Sequence, residues 1–198
     1  MARRDSAVKQ HILTTTVAMI SEYGPTKIRV ADVARRADVG VPTIYYHFDS
    51  RSKLLAEAQV VRYEEFFRPA RELMDAMEAA LAAEDKGTFD EAVDRYLSLV
   101  WAPHVIGGTY ELDVMLECSV DPVVSEEILD ATRRQHQRWV AIVARAQQRR
   151  WFGPSVDGDV LTSLFWSASV GQLVVKNSVY RKLAPEALVA LFRAIMDF

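Results

Sequence analysis

Residues 28–48, IRVADVARRADVGVPTIYYHF, decide the fold that we expect for this chain. In the first part, Val30, Val33, Ala34 and Ala37 recur at spacings of three and four residues, which places them on one face of a short helix. The polar, glycine-bearing stretch 38–40 then interrupts the pattern for only a few residues. A break this short holds two helices at a steep angle, so the segment predicts a helix-turn-helix.

The second helix of this motif is predicted to begin near Val41. Pro42 is admissible in its first turn because the amides there lack an intrahelical partner and the fixed φ of proline suits a helix. Ile44 and Phe48 lie four residues apart and should share the buried face. The residues left on the surface carry groups suited to phosphate oxygens and base edges, and they are Val41, Pro42, Thr43, Tyr45, Tyr46 and His47.

The segment resembles the DNA-binding domain of the tetracycline-repressor (TetR) family, and both flanks share the resemblance. Residues 12–24 (ILTTTVAMISEYG) are similar to the family's first helix and its glycine stop, and residues 48–55 (FDSRSKLL) to the entry into its fourth helix. The resemblance implies phosphate contacts at Thr43, Tyr45, His47 and Arg51. With the surface residues above, Arg29 completes the predicted DNA-binding set.

Three departures from the family's usual pattern fall in the turn and at the start of the second helix. Asp38 stands where a glycine is common, Gly40 where a capping serine is common, and Val41 and Pro42 replace a frequent basic residue and glycine. They remove a side-chain cap and a cation from the start of the recognition helix. The expected fold is unaffected, but the base contacts and the operator sequence do not follow from the resemblance.

Charge is unevenly distributed along the chain. Residues 1–55 contain nine Lys or Arg against five Asp or Glu, a net charge of +4, and since the whole chain carries −3 the remainder carries −7. Attraction to phosphate needs a local basic face rather than a basic protein. The asymmetry therefore favours a DNA-binding N-terminal domain and an acidic regulatory body.

Composition narrows the class of protein further. With 198 residues, 50% of them hydrophobic, the chain can bury a substantial core. It has no run of about eighteen apolar residues that would span a membrane, and its polar N-terminus lacks the apolar core of a signal sequence. Cys118 is the single cysteine, so no intrachain disulfide is expected. These features indicate a cytoplasmic protein.

The sequence after the motif predicts helices throughout, and hence an all-α chain. Ser50 is a natural N-cap for a fourth helix, which Pro69 should kink or end. Residues 88–91 (TFDE) have the form of a capping box that opens a helix stopping near Pro103. Residues 110–118 suggest another short helix.

Cap signals also bound the last three helices. Asp121, followed by proline, predicts the N-terminus of a long helix that runs to Trp151. Asp157 is expected to cap the next helix, whose residues 160–180 are apolar around much of its circumference. Residues 185–196 form a final amphipathic helix. The expected organisation is a three-helix DNA-binding domain, residues 1–50, and a helical ligand-binding and dimerisation domain, residues 51–198.

The last two helices carry more apolar surface than a small helical body can cover, which predicts homodimerisation. The resemblance implies that they form a four-helix dimer interface. Two DNA-binding domains about 34 Å apart would then read two half-sites of a palindromic operator. Some of these side chains belong to the core of one chain instead. The candidates are Leu161, Leu164, Ala168, Gly171, Val175, Leu188, Leu191, Phe192 and Ile195.

The resemblance also implies a small-molecule pocket among the middle helices. A hydrophobic or aromatic ligand is expected to favour an arrangement in which the fourth helix moves the two DNA-binding domains out of register with the operator. The sequence thus predicts a ligand-responsive regulator, in the family's usual mode a repressor, with no metal or other cofactor. Candidate pocket residues mix apolar surface with polar groups, and they are Trp101, His104, Tyr110, Met115, Glu117, Cys118, Trp139, Phe165, Trp166 and Gln172.

Two other classes of function have to be weighed. An enzyme is not expected, because the four histidines show no metal-ligand spacing and the chain has no Gly-rich phosphate loop or nucleophile signature. His104 and Glu117 would form a proton-transfer pair only if the fold brought them together. A helical protein-interaction module without DNA affinity is the closer alternative. Salt dependence separates it from a DNA binder, since only phosphate-driven binding weakens steeply as counterions rise.

Overall fold

The computed structural model describes residues 2–101, 114, 118–154, 157–175 and 184–196. These ranges are helical and contain no strand, which confirms the all-α fold class. None of their helices is long and apolar enough to cross a membrane. A short 3-10 turn (Pro25–Lys27) follows the first helix. The α-helices are α1 (Ala2–Tyr23), α2 (Val30–Arg36), α3 (Val41–Phe48), α4 (Arg51–Phe66), α5 (Arg68–Ala83), α6 (Lys86–Val100), α7 (Pro122–Gln148), α8 (Gly158–Val175) and α9 (Pro185–Met196).

The chain divides into two compact units. The described residues of Met1–Phe66 and Leu112–Thr132 form the N-terminal unit, and those of Phe67–Glu111 and Arg133–Phe198 form the C-terminal unit. The N-terminal unit thus contains α4 and the start of α7 besides the predicted helix-turn-helix. A domain boundary after residue 50 stays a prediction.

The core of the N-terminal unit forms where α1 packs on α2, α3 and α4. Ile12 of α1 and Leu54 of α4 are fully buried, as is Val33 of α2. Ile44 and Phe48 are almost completely buried on one face of α3, which confirms the predicted spacing. Apolar contacts along the inner faces of α2 and α3 therefore hold the helix-turn-helix together. The outer face of α3 remains exposed to solvent.

Helix ends in this unit follow the sequence signals. Gly24 ends α1 with a φ of 79°, a conformation that costs glycine little. The Ser50 hydroxyl oxygen accepts from the Lys53 amide at 3.1 Å and caps α4, as predicted. Helix α4 ends at Phe66, three residues before Pro69, as predicted, and Pro69 lies in the first turn of α5, where proline is tolerated.

The C-terminal unit is built around α5 and α6, which pack on each other, and α9 packs on α6. Phe89, Trp101 and Phe192 are fully buried in its core together with Met74 and Met77. Ion pairs tie the surface of the same unit together: the Arg138 guanidinium donates to both Glu78 carboxylate oxygens at 2.7 and 2.8 Å and also contacts Asp75. These contacts raise the pKa of Arg138, chiefly through its hydrogen bonds with Glu78.

Two predicted helix ends are wrong by about one turn. The N-cap of α6 is Asp85, three residues before the predicted Thr88: its carboxylate accepts from the Thr88 amide at 3.1 Å, and the helix begins at Lys86. Helix α7 ends at Gln148 rather than Trp151. Arg150 adopts a left-handed φ of 58°, and the Trp151 amide donates to the Ala146 carbonyl, which closes the helix end.

The other helix starts are confirmed. The Asp121 carboxylate accepts from the Val123 amide at 3.0 Å at the start of α7, and the Asp157 carboxylate from the Val160 amide at 2.9 Å at the start of α8. The predicted end near Pro103, most of the predicted helix 110–118 and the part of the apolar segment after Val175 lie outside the described residues.

Candidate nucleic-acid interface and ligand cleft

The turn between α2 and α3 is formed without a glycine at its left-handed position. Asp38 has a φ of 52°, and the Val39 amide donates to the Ala34 carbonyl at 3.0 Å, which closes the end of α2. Gly40 is extended, with φ −74° and ψ 146°, and provides no side-chain cap for α3. Aspartate tolerates the left-handed region better than most residues. The departure at Asp38 is therefore accommodated within the helix-turn-helix.

The outer face of α3 presents aromatic and apolar side chains to solvent. Tyr46 is 73% exposed, Tyr45 46% and Val41 37%, and Pro42 is exposed beside them. Thr43 is half-buried. The structure therefore brings together, on one short helix, five of the six surface residues that the sequence predicted.

His47 is the exception. Its side chain is only 7% exposed, and its Nε2 lies 3.7 Å from Asp5 Oδ1 on α1. The Tyr46 ring meets the imidazole edge-on, with ring centroids 5.0 Å apart. The residue as a whole is half-buried, and its imidazole is covered beside an exposed carboxylate of α1 rather than open to solvent as the sequence predicted.

The two arginines predicted to contact DNA lie at helix starts. Arg29 is exposed at the N-cap position of α2. Arg51, the first residue of α4, donates from Nε to the Ile28 carbonyl at 2.9 Å and from Nη2 to the Pro25 carbonyl at 3.2 Å. Its guanidinium therefore joins α4 to the segment before α2, a structural role that the sequence pattern did not predict.

Ion pairs reduce the free positive charge of the N-terminal unit. Arg36 makes two hydrogen bonds to Glu22, which lower the pKa of that carboxyl from 4.5 to about 2, and Arg35 pairs with Asp32 at 2.6 Å. Further pairs join Lys9 to Glu57 and Lys53 to Glu127. Among the described residues of this unit, no carboxylate lies within ion-pair distance of Lys27, Arg29 or Arg51. These three cations lie just before α2 or at the start of α4.

A separate, apolar cleft lies in the C-terminal unit. Trp139 and Phe165, both predicted to line a pocket, come together there with Leu97 and Thr162. The Thr162 hydroxyl donates its hydrogen bond to the Gly158 carbonyl at 2.7 Å. The lining therefore presents mainly apolar and aromatic surface to a bound molecule. Its volume is about 20 Å³, room for about one water molecule. The remaining lining residues are Leu161, Phe192 and Met196.

Aromatic rings surround the cleft on several sides. The Trp139 indole donates to the Tyr96 hydroxyl at 2.7 Å, and the rings of Phe165 and Phe192 lie 5.2 Å apart. Trp101 packs on Phe165 but is fully buried and is not among the lining residues. The signal that sequence reasoning missed is the four-residue spacing that places Leu161 beside Phe165 on α8.

Of the other predicted pocket residues, none whose side chain the structure describes lines this cleft. Trp166 is partly exposed on α8, and Cys118 is half-buried in the N-terminal unit. The side chain of Gln172 is not described, and four further candidates lie outside the described residues, namely His104, Tyr110, Met115 and Glu117. The hypothetical His104–Glu117 pair lies there too. Within the described part of the chain, no group of three His, Cys, Asp or Glu side chains could hold a metal ion.

The predicted dimer residues separate into two groups. Leu161, Leu188 and Phe192 are buried in the core of the C-terminal unit, so a single chain already covers them, and Ala168 packs against that core. The outward-facing group contains Leu164, Leu191 and Ile195, all exposed, and a Cβ added at Gly171 would meet nothing within 4 Å. The side chain of Val175 is not described.

Comparison with known proteins gives a family for the N-terminal unit. Residues 12–58 match the family model described as bacterial regulatory proteins, tetR family, and this range contains the whole helix-turn-helix. Residues 12–58 therefore form a TetR-type DNA-binding domain. No curated protein sequence matches the chain.

Solved structures extend the likeness from residues 12–58 to the fold of the whole chain. Reduced Escherichia coli NemR has a TM-score of 0.70 at 13% identity, with 96% of this chain and 98% of NemR covered. A protein from Rhodococcus sp. described as a TetR-family transcriptional regulator has a TM-score of 0.65 at 21% identity, covering 96% and 99%. A transcriptional regulator from Saccharomonospora viridis in complex with choline has 0.60 at 21% identity, covering 97% and 96%. The chain therefore has the fold of a TetR-family transcriptional regulator.

Proposed function

We propose that this TetR-family chain is a ligand-responsive repressor that binds a palindromic operator as a homodimer and is released by a hydrophobic or aromatic ligand. The observation that carries the proposal is the outer face of α3. Its exposed hydroxyls and rings belong to the second helix of a matched TetR helix-turn-helix. In this motif the second helix enters the major groove. Because its proposed partner is chromosomal DNA, the protein would act in the cytoplasm.

The DNA-facing residues divide by position. Val41, Pro42 and Thr43 open α3 and would approach base edges, while Tyr45 and Tyr46 would donate their hydroxyls to phosphate oxygens. Other contacts come from outside this helix. Arg29 adds an unpaired cation at the start of α2, and the guanidinium of Arg51 keeps N–H groups that its two carbonyl partners leave for phosphate.

Homodimerisation is supported by the outward-facing residues of α8 and α9. Leu164, Leu191 and Ile195 are large apolar side chains that a single chain leaves exposed. Gly171 leaves open space where a second helix can approach closely. Covering this surface with a second copy removes it from water and pairs two DNA-binding units for the two halves of a palindrome.

The apolar cleft is the proposed ligand site. A drug-sized ligand needs a volume of about 300 Å³ or more, so the cleft would have to widen around Trp139, Phe165 and Phe192. A ligand that binds the widened arrangement more tightly shifts the population toward it. Repression is relieved if that arrangement fits the operator less well. The relative bound to choline shows that this fold accepts a small molecule in at least one protein.

The test is retention of DNA by the purified protein. A pool of duplexes with random central sequence and a pool of genomic fragments are incubated with the folded protein at moderate salt, and the retained duplexes are sequenced. We expect a palindromic consensus, and affinity that falls with salt in proportion to the phosphates contacted. The Tyr45→Ala, Tyr46→Ala double variant serves as the non-binding control. No enrichment by folded protein would overturn the proposal and favour a protein-interaction module or an enzyme.

A further inference from the structure

The start of α3 carries none of the side chains that usually identify a base by paired hydrogen bonds. Residues 41–48 contain no Arg, Lys, Asn, Gln, Asp or Glu. Those types recognise guanine, adenine and cytosine in the major groove. The solvent-exposed residues of the first turn are instead Val41, 37% exposed, and Pro42. Recognition of a base by these two exposed side chains therefore needs a partner that is itself apolar.

The first turn of α3 is also the part of the helix that is expected to meet base edges. In helix-turn-helix proteins the N-terminal residues of the recognition helix contact base edges. Gly40 precedes Val41 in an extended conformation and adds no polar side chain of its own. Among the groups that base pairs present in the major groove, the 5-methyl group of thymine is the apolar one. Val41 and Pro42 are complementary to it in chemistry.

We propose that Val41 and Pro42 recognise thymine through its 5-methyl group, so that each operator half-site places a thymine opposite the start of α3. This inference rests on the proposed DNA-binding function and adds the base that the protein selects. Tyr45 and Tyr46, further along the helix, remain for phosphate contacts. Burial of one methyl group strengthens binding about fourfold, or roughly sixteenfold when both half-sites of a palindrome contribute.

The experiment replaces thymine by uracil, which pairs identically and lacks only the methyl group. The random duplex pool is prepared once with thymine and once with uracil, and the sequences retained from the thymine pool are remade with single uracils along each half-site. We expect one thymine position per half-site at which uracil weakens binding about fourfold. Uracil at positions away from the start of α3 should leave the affinity unchanged.

Two variants assign the effect to the proposed residues. Val41→Ala and Pro42→Ala should each lower the thymine-to-uracil affinity ratio at that position, because each removes part of the apolar surface that covers the methyl group. Val123→Ala is the matched control, because Val123 is also 37% exposed but lies on α7. Its affinity ratio should equal that of the unaltered protein. A ratio that persists in both Val41→Ala and Pro42→Ala would show that another residue, or the stiffness of the DNA, is responsible, and would overturn the assignment.

The outcomes separate this inference from the proposed function. Equal retention of thymine and uracil duplexes, with a clear consensus in both pools, would leave DNA binding intact and refute methyl recognition. Failure to retain duplex from either pool would refute DNA binding itself, and methyl recognition with it.

Discussion

Arg51 Nε donates a hydrogen bond to the carbonyl oxygen of Ile28, over a distance of 2.9 Å. This bond, with a second to the Pro25 carbonyl, connects the first residue of α4 to the segment that leads into α2. The guanidinium thus fixes the spacing between two helices that flank the recognition helix. A side chain predicted as a phosphate contact also holds the DNA-binding unit together.

Arg51→Ala should lower the free energy of unfolding of the N-terminal unit by about 1 kcal/mol, since two carbonyls lose a charged donor at a partly exposed site. Arg51→Lys should recover little of this, because an ammonium group cannot reproduce the geometry of the guanidinium fork. Urea unfolding monitored by circular dichroism measures both values. Equal stability of all three proteins would show that the two hydrogen bonds are dispensable.

Tyr46→Phe should weaken operator binding several-fold by removing a donor to phosphate. Stability should not change, because Tyr46 is 73% exposed in the free protein. The salt dependence of binding should stay the same, since the hydroxyl is uncharged and releases no counterion. Fluorescence anisotropy with the selected duplex, repeated at several salt concentrations, checks both statements. His47→Ala is a useful contrast. Because that side chain is buried beside Asp5, its loss should lower stability as well as binding.

The Glu22–Arg36 pair predicts a specific dependence of stability on pH. Hydrogen bonds from Arg36 lower the pKa of Glu22 from 4.5 to about 2, so the folded state favours the ionised carboxylate. The stabilisation is fully present above about pH 4.5, declines as the pH falls, and is lost below about pH 2. Glu22→Gln should therefore be less stable than the unaltered protein at pH 6, with a difference that shrinks between pH 4.5 and 2. A difference independent of pH would contradict the assignment to ionisation.

Gly171→Leu should abolish dimerisation while leaving the protomer folded. Nothing lies within 4 Å of a Cβ added at this position, so one chain accommodates the side chain, whereas a closely packed partner helix does not. Sedimentation equilibrium gives the dimer dissociation constant, and circular dichroism gives the helix content. Gly87→Leu, at the exposed start of α6, is the control for a bulky residue on a helix surface. A dimer that persists in Gly171→Leu would place the interface elsewhere.

Energy transfer from tryptophan can locate the ligand cleft. A neutral fluorescent naphthylamine dye should bind in the C-terminal unit and be excited through Trp139, which lines the cleft. Trp139→Phe should lower this sensitised emission more than Trp166→Phe does, because Trp139 lines the cleft whereas Trp166 lies partly exposed on α8 and outside the lining. The reverse order would show that the dye occupies another site.

The helix-turn-helix could be predicted from sequence because its buried faces and helix ends are set by residues a few positions apart. The spacing of Val33, Ile44 and Phe48 predicts which helix faces are buried, and all three side chains are buried in the structure. Ser50 and Asp157 act as caps because a capping residue and its amide are neighbours in sequence. The predicted cap at Thr88 was wrong by about one turn. Asp85, three residues earlier, is the N-cap, and its carboxylate accepts from the Thr88 amide.

Long-range placement was less accessible from sequence. Whether Leu161 and Phe192 face a partner or the core depends on how α8, α9 and α6 pack, and an apolar stripe serves either purpose. The covered imidazole of His47 lies beside Asp5, which is forty-two positions earlier in the chain. The Arg51 bonds to Ile28 and Pro25 likewise join residues that are far apart in sequence and adjacent only in the fold.

The exposed side chains of Leu164, Leu191 and Ile195 have a consequence for gene dosage. If the competent form contains two copies, its amount at low expression rises with the square of the chain concentration, and its stability cannot be separated from that concentration. A cell that halves its supply of this protein then loses about three quarters of the paired form. Three uncovered residues on two helices would thereby convert a modest change in synthesis into a steep change in occupancy of the regulated promoter.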